Sequence, residues 1–378
     1  MREGNRASMS GRLFVMVLCA GLLASAALAE ITITDHNAML RQQRHAARHS
    51  AIPPLATGSH ALVDAGGVQY FINDDITFST SSSASGAMSE ASYTQSVAAT
   101  TSGGGTSPYK LNDAYDGYQT VCVSFTGATG TCEVKNSDFV IYNKNGPATG
   151  ECVGTASKVN RQYVFGTQVM GPGNALHVFR KVFVPDNEQF ARWLNYFTNT
   201  GATPLTFNVI VANNLGSDAS TLIVTSSTGS HTSPFTDTSA TWVTTFQNWG
   251  FPAANQSSDP RLGHVLQSGG APVPLSFIHF ADGDDNPYWG YTLTLQPGET
   301  RIIMNFGVVQ ASKAAAKAKA EMLVTEPPIS LQCMTPTEVA EVGNFAIQAI
   351  PAVSHRGLAI LGVLLLAAAA LVLRTKTA

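Results

Sequence analysis

The densest run of oxygen ligands in the chain is Asp282, Asp284, Asp285 and Asn286. Hard cations such as calcium are held by carboxylate and carbonyl oxygens, which makes this run a candidate calcium site. Asp218 and Asp259 could join it only if the fold brings them near. The spacing lacks the closing Glu of an EF-hand loop, and a solvated turn accounts for the same residues. His177, His264 and His279 each sit in or beside an apolar run and are candidate general bases, although a lone strand histidine is more often structural. His45 and His49 stand one helical turn apart among Arg41, Arg44 and Arg48; without a third ligand they read as a polar face rather than a metal site. Trp242 and Trp249 flank Gln247-Asn248 and are candidate exposed rings for stacking on a glycan, while Trp193 and Trp289 belong to apolar strands and read as core. The chain contains no Gly-x-Ser-x-Gly elbow, no His-Glu-x-x-His and no phosphate-cradling glycine loop.

Five cysteines occur in the chain; Cys19 lies in the N-terminal apolar run, leaving Cys122, Cys132, Cys152 and Cys333. An even count in an exported chain implies two disulfides, with three possible connectivities. Three of the four cluster and Cys333 is remote, so at least one bridge must tie the C-terminal segment to the N-terminal half. A hairpin turning at Gly127 to Gly130 would set Cys122 opposite Lys135, which weighs against a Cys122–Cys132 pair. No Cys-x-x-Cys spacing supports zinc.

These residues must be positioned by strands. The chain has 378 residues, is 44% hydrophobic and 12% charged, and carries 33 glycines; the usual charged share is about a quarter. With a formal net charge of -3 and no basic stripe, nucleic acid is excluded as a partner. From Phe190 to Ala212 the sequence reads as two long strands joined by a turn at Asn199 to Pro204. In the second, Leu205, Phe207, Val209 and Val211 share a face, the period of two of a half-buried strand. In the first, Trp193 and Phe197 oppose Leu194 and Tyr196, as in a sheet covered on both sides. Short β-like runs with turn signals continue to Val309, and Gln296-Pro297-Gly298-Glu299 has the order of a type II turn. Val68 to Ile72 reads as the first strand, and Thr77 to Gly105 as a polar edge hairpin.

The fold class expected is therefore mainly β: a large antiparallel two-layer sandwich over residues 61–325. Helix is expected only late, from Ser312 to Leu323 and, after the capping box Thr335-Pro336-Thr337-Glu338, through Phe345. Residues 326–349 form a short helical segment, and both helices would pack on the sandwich through Met322, Leu323, Val339 and Phe345.

Both ends read as targeting segments. Arg2, Arg6 and Arg12 precede the apolar run Leu13 to Leu28, and Ala27-Leu28-Ala29 offers signal peptidase a cleavage site between Ala29 and Glu30, making 1–29 a signal peptide. Residues 30–60 are a lead-in that includes a short basic helix. At the other end, Leu358 to Leu373 is an uncharged span near the lower limit for crossing a bilayer, roughly 17 residues, followed by Arg374 and Lys376, which predict a cytoplasmic tip. With Ile350, Pro351, Ser354 and Gly357 before it, residues 350–378 resemble the PEP-CTERM or IPTL-type sorting signals read by bacterial exosortases. Ala352, Val353 and Arg356 depart from that pattern, and a plain single-pass anchor is the alternative.

The runs Arg180-Lys181-Val182-Phe183-Val184-Pro185, Phe190-Ala191-Arg192-Trp193-Leu194 and Asn214-Leu215-Gly216-Ser217-Asp218 resemble an uncharacterised β-sandwich module of bacterial exported surface proteins. Asp259-Pro260-Arg261-Leu262-Gly263-His264-Val265, Ile303-Met304-Asn305-Phe306 and Leu331-Gln332-Cys333-Met334 extend the likeness over Ala61 to Phe345. It implies a location and an architecture but no activity. The functional expectation is a non-enzymatic surface or secreted protein with an adhesive or scaffolding role, whose partner is a glycan or a surface protein. A carbohydrate-binding module, with or without calcium, is the first alternative, and a hydrolase whose residues converge only in the fold is the second.

Overall fold

A computed structural model describes residues 59–74, 84–100, 106–112, 114–132, 137–144, 148–154, 158–217, 221–229, 232–247 and 259–347. The signal peptide, the basic lead-in with His45 and His49, Asp218, Trp249 and the sorting motif Ile350, Pro351, Ser354 and Gly357 lie outside these residues.

The described chain is mainly β, and every ladder between its strands is antiparallel. A three-stranded sheet is formed by β1 (Ser59–Val63), β2 (Val68–Asn73) and β3 (Met88–Tyr93). The polar stretch from Thr77 to Gly105 does not close a hairpin of its own: β3 within it pairs with β2, and β4 (Val97–Thr100) pairs with β5 (Thr106–Tyr109), which lies past its end. Then come β6 (Thr120–Ser124), β7 (Val140–Ile141), β8 (Thr149–Glu151), β9 (Gln162–Met170), β10 (Leu176–Phe183), β11 (Ala191–Asn199) and β12 (Leu205–Ala212). They are followed by β13 (Thr221–Ser226), β14 (Trp242–Gln247), β15 (Arg261–Val265), β16 (Phe277–Ala281), β17 (Asp284–Leu295) and β18 (Thr300–Gln310). The eight-stranded sheet runs β13-β14-β15-β18-β11-β10-β9-β8, and the five-stranded sheet runs β16-β17-β12-β6-β7.

The turns at Asn199 to Pro204 and at Gln296 to Glu299 are corners rather than hairpins. β11 pairs with β18 in the larger sheet, while β12 pairs with β17 in the smaller one. The sequence shows a turn in each place but not that the chain changes sheets there. Buried Asn199 ties the two corners together. Its Nδ2 donates to Thr203 O at 2.8 Å and to Leu295 O at 2.9 Å, and its carbonyl accepts from Gly298 N at 2.8 Å. A side-chain amide that bonds several backbone groups at once stops a buried corner from leaving orphan carbonyls.

Trp193 and Phe197 of β11 enter the core between the sheets, with Phe207, Val209 and Val211 of β12 and Trp289, Tyr291 and Leu293 of β17. Leu194 and Tyr196 point the other way, into a second cluster with Ile302, Met304, Phe306 and Val308 of β18. That outer face is covered by α1 (Lys313–Val324) and α2 (Pro336–Glu341), so the larger sheet is buried on both sides, as the apolar pattern of β11 requires. Ser312 caps α1 by accepting from Ala315 N, and Ala316, Ala320 and Leu323 form its buried stripe. The capping box at Thr335 and Glu338 opens α2 with Pro336 in the first turn. This helix stops at Glu341 instead of reaching Phe345, because Val342 leaves it to bridge Ile302 in parallel.

Both disulfides are formed: Cys122–Cys132 and Cys152–Cys333, each with its Cα atoms 5.9 Å apart. The first corrects the expectation drawn from a tight hairpin at Gly127 to Gly130. Cys122 is in register with Ile141 of β7, so the connection is a wide loop free to fold Cys132 back onto β6. The second bridge ties the C-terminal segment to the N-terminal half, as the cysteine distribution demanded.

Candidate functional site

His264 sits at the centre of the sandwich. β15 buries it completely between Tyr118, whose hydroxyl is 2.8 Å from Nδ1, and Thr245, whose hydroxyl is 2.9 Å from Nε2. Phe280 and Trp289 lie 5.3 and 6.1 Å away, ring to ring, and Tyr118 stands edge-on to Trp193 at 5.5 Å. Burial pushes its pKa down to about 3, so the imidazole stays neutral with both nitrogens engaged. It is a satisfied core histidine, without contact with solvent. His279 stacks on Tyr288 with centroids 5.1 Å apart and is partly exposed, and His177 lies in β10 opposite Thr198 and Val169. The three histidines are not brought together.

The Asp282 run occupies the end of the sandwich next to β13, which is an edge strand of the larger sheet. Asp282 Oδ1 accepts from Ile223 N at 2.8 Å, and Gly283 N donates to Thr221 O at 2.8 Å. Asp284 Oδ1 accepts from Asn286 N at 2.9 Å, and Asp285 Oδ1 from Asn286 Nδ2 at 2.6 Å. Asp284 and Asp285 staple the turn to itself, while Asp282 and the Gly283 backbone bond the outer backbone of β13, the edge that would otherwise invite another strand. Among the described residues, no group of three or more His, Cys, Asp and Glu side chains could hold a metal ion. Asp259 is buried, in the segment leading into β15.

Trp242 is not the exposed ring that its neighbours Gln247 and Asn248 suggested. It is only 4% exposed and packs in the outer cluster with Val265, Ala320 and Leu323, because α1 closes over that face of β14. Flanking polar residues cannot reveal a helix that arrives some seventy positions later in the chain.

The residues that sequence reasoning missed attach the C-terminal segment to the sheet. Arg192, fully buried in β11, donates from Nη1 to Ser330 O at 2.6 Å and Gln332 O at 2.8 Å, and from Nη2 to Gln162 Oε1 at 2.8 Å. Its guanidinium lies 4.7 Å from the centre of the Phe183 ring. Burial lowers its pKa to about 9, which still leaves it charged at neutral pH. Lys181 Nζ bridges Glu151 at 2.8 Å and Glu338 at 2.9 Å, and the Tyr196 hydroxyl donates to the same Glu338 carboxylate. Charged residues inside the apolar runs of β10 and β11 were the available signal, since such groups are rarely buried unless they are paired.

A cleft of about 820 Å³ opens between this segment and the end of β15. Val324, Leu331, Met334, Val339 and Ile347 give it apolar walls, and Glu326 supplies a carboxyl whose pKa is raised by burial. Its size is that of a small-molecule site. Among the described residues no helix is long and apolar enough to cross a membrane.

No family model and no curated protein matches the chain. Solved structures similar to it include a polysaccharide lyase, at 12% identity over 70% of this chain and 34% of that one, with a TM-score of 0.35. The chain thus spans about a third of that lyase's length. A galactose mutarotase-like protein from Lactobacillus casei gives 8% identity, 67% and 100% coverage and a TM-score of 0.36. The heparan sulfate lyase HepC from Pedobacter heparinus gives 13%, 76% and 46%, and 0.33. Nothing about function is carried over from likenesses at this level.

Proposed function

We propose that this is an exported, non-enzymatic β-sandwich protein of the bacterial surface or extracellular matrix, held by its C-terminal helix and acting by adhesion or scaffolding. The observation that carries the reading is the pairing of all four cysteines that follow the N-terminal apolar run. Two structural disulfides belong to an oxidising compartment. The complete burial of His264 supports the same reading, because a ring shielded from solvent does not meet a substrate. Signal peptidase would cut between Ala29 and Glu30. An exosortase-type transpeptidase would act at the Ile350-Pro351 motif, after transient retention by the apolar span that follows.

The test is fractionation of the native producer, with alkylation of free thiols before and after reduction. The protein should be found in the envelope or the medium, begin at Glu30, and take up alkylating reagent only after reduction. Recovery from the cytosol with thiols already free would refute the placement. A glycan array probed with and without calcium separates scaffolding from lectin activity, since specific signal on any glycan would replace the leading reading with the carbohydrate-binding one.

A further inference from the structure

The last described residues are pinned to the body by an unusual peg. Asn344 is fully buried and uses its side chain as a strand would use its backbone: Oδ1 accepts from Met304 N at 2.8 Å, while Nδ2 donates to Met304 O at 2.6 Å. Nδ2 also reaches Leu266 O at 2.7 Å, and the Asn344 carbonyl accepts from Ser268 N at 3.1 Å. Ser268 Oγ then accepts from Ala346 N at 2.7 Å. On either side of the peg, Gly343 N donates to Ile302 O at 2.8 Å, and Phe345 stands edge-on to Phe306 at 5.7 Å. Just upstream, Cys333 is bonded to Cys152, a residue 181 positions earlier. That bond closes a covalent ring containing β9 to β18 and α1, and on its C-terminal side the chain leaves the ring at residue 334.

We propose that residues 328–347 form a tension joint, in which the Asn344 peg resists first and the Cys152–Cys333 bond then stops any unravelling at the rim of the sandwich. The inference rests on the reading that the chain is held by its C-terminal end. A force on residue 348 would otherwise peel α2, then α1, then β18, the central strand of the larger sheet. With the bond in place, only residues 334–347 can lengthen before the load passes from Cys333 to Cys152 and bypasses the sheets. Four further contacts hold the joint: Arg192 on the carbonyls of Ser330 and Gln332, and Glu338 held by both Lys181 and Tyr196.

Single-molecule pulling of the full chain in detergent tests this, with one handle at the C-terminal end and the other on a clickable residue replacing Val159, which is 66% exposed. The wild type should give one resolved rupture as residues 334–347 leave, and extension should then stop. Cys152→Ala/Cys333→Ala should continue through further ruptures, and the residues freed between Val159 and Cys333 add roughly 60 nm at ~3.4 Å each. Asn344→Ala should reduce the first rupture force to about half by removing the buried hydrogen bonds of its side chain to Met304, Leu266 and Tyr291. Ser268→Ala, a milder change, should lower it less while leaving thermal melting near wild type. The joint is overturned if residues 334–347 come away without a resolvable rupture. It is equally overturned if both peg variants rupture at the wild-type force, or if the cysteine variant stops where the wild type stops. Pulling measures the joint wherever the protein resides, and fractionation measures residence whatever the joint withstands.

Discussion

Both nitrogens of His264 are engaged, by Tyr118 and Thr245, and its pKa of about 3 in the folded chain lies well below the ordinary 6.5. Over that interval the unfolded chain binds a proton that the folded chain refuses. The stability His264 contributes is therefore complete above about pH 6.5 and drains as pH falls toward 3. Asp64 acts in the opposite sense. Its carboxylate accepts from Gly66 N, Val68 N and the Tyr70 hydroxyl, yet burial raises its pKa from 3.8 to about 6. Its contribution is present below pH 3.8 and is lost as pH rises through 6. His264→Phe isolates the first effect, because Asp64 is common to both proteins and cancels in the difference. At pH 7 the variant should lose about 1–3 kcal/mol, the cost of leaving two buried hydroxyls unpartnered. The gap to wild type should narrow steadily in urea titrations run from pH 7 down to pH 4. A gap independent of pH would mean that the imidazole is not held neutral.

At the scale of elements, close approach and buried charge decide what tolerates change. In β17, a Cβ on Gly290 would collide with Val209 O of the neighbouring strand and with the Phe277 ring. Gly290→Ala should therefore cost about 2–3 kcal/mol by overpacking, whereas Gly269→Ala, which meets nothing within 4 Å, should stay within about 0.5 kcal/mol. Thermal melts of the pair decide it, and equal effects would contradict the packing of β12 on β17. Arg192→Lys should release the 328–335 segment from the sheet, because a lysine ammonium cannot span the Ser330 and Gln332 carbonyls while bonding Gln162. Hydrogen exchange at Leu331 and Gln332 should quicken at least tenfold, about 1.4 kcal/mol of lost protection; unchanged exchange would place the attachment elsewhere. The alternation in β11 and β12, the capping box of α2 and the late helices were legible in the sequence because each is written in neighbouring residues. The sheet change at Asn199, the burial of Trp242 under α1 and the Cys122–Cys132 pair were not, because each depends on an element far away in the chain. The same limit applies to the site: Asp282, Asp284 and Asp285 read as ligands by composition, and only the position of β13 shows Asp282 bonding a strand edge.

Taken whole, the molecule is a pair of sheets with two covalent loops of very different length, and that difference predicts an order of stabilities. In the chain-entropy view a disulfide acts mainly by restricting the unfolded state, and its effect grows with the logarithm of the loop it closes. Cys122–Cys132 spans 10 residues and should contribute about 3 kcal/mol, while Cys152–Cys333 spans 181 and should contribute about 5 kcal/mol. The longer loop also joins elements whose attachment includes buried polar contacts: Arg192 on carbonyls, and Lys181 between Glu151 and Glu338. Once the bond is gone, these contacts have to form without the proximity it supplied. Denaturant midpoints for Cys122→Ala/Cys132→Ala and Cys152→Ala/Cys333→Ala should therefore both fall, the second further. Only the second should show early loss of protection in 328–347 while β10, β11 and β18 remain folded. If the short-loop variant proved the less stable, local packing around buried Cys122 would outweigh loop length, and the ring enclosing the sandwich would not be the main covalent support of the fold.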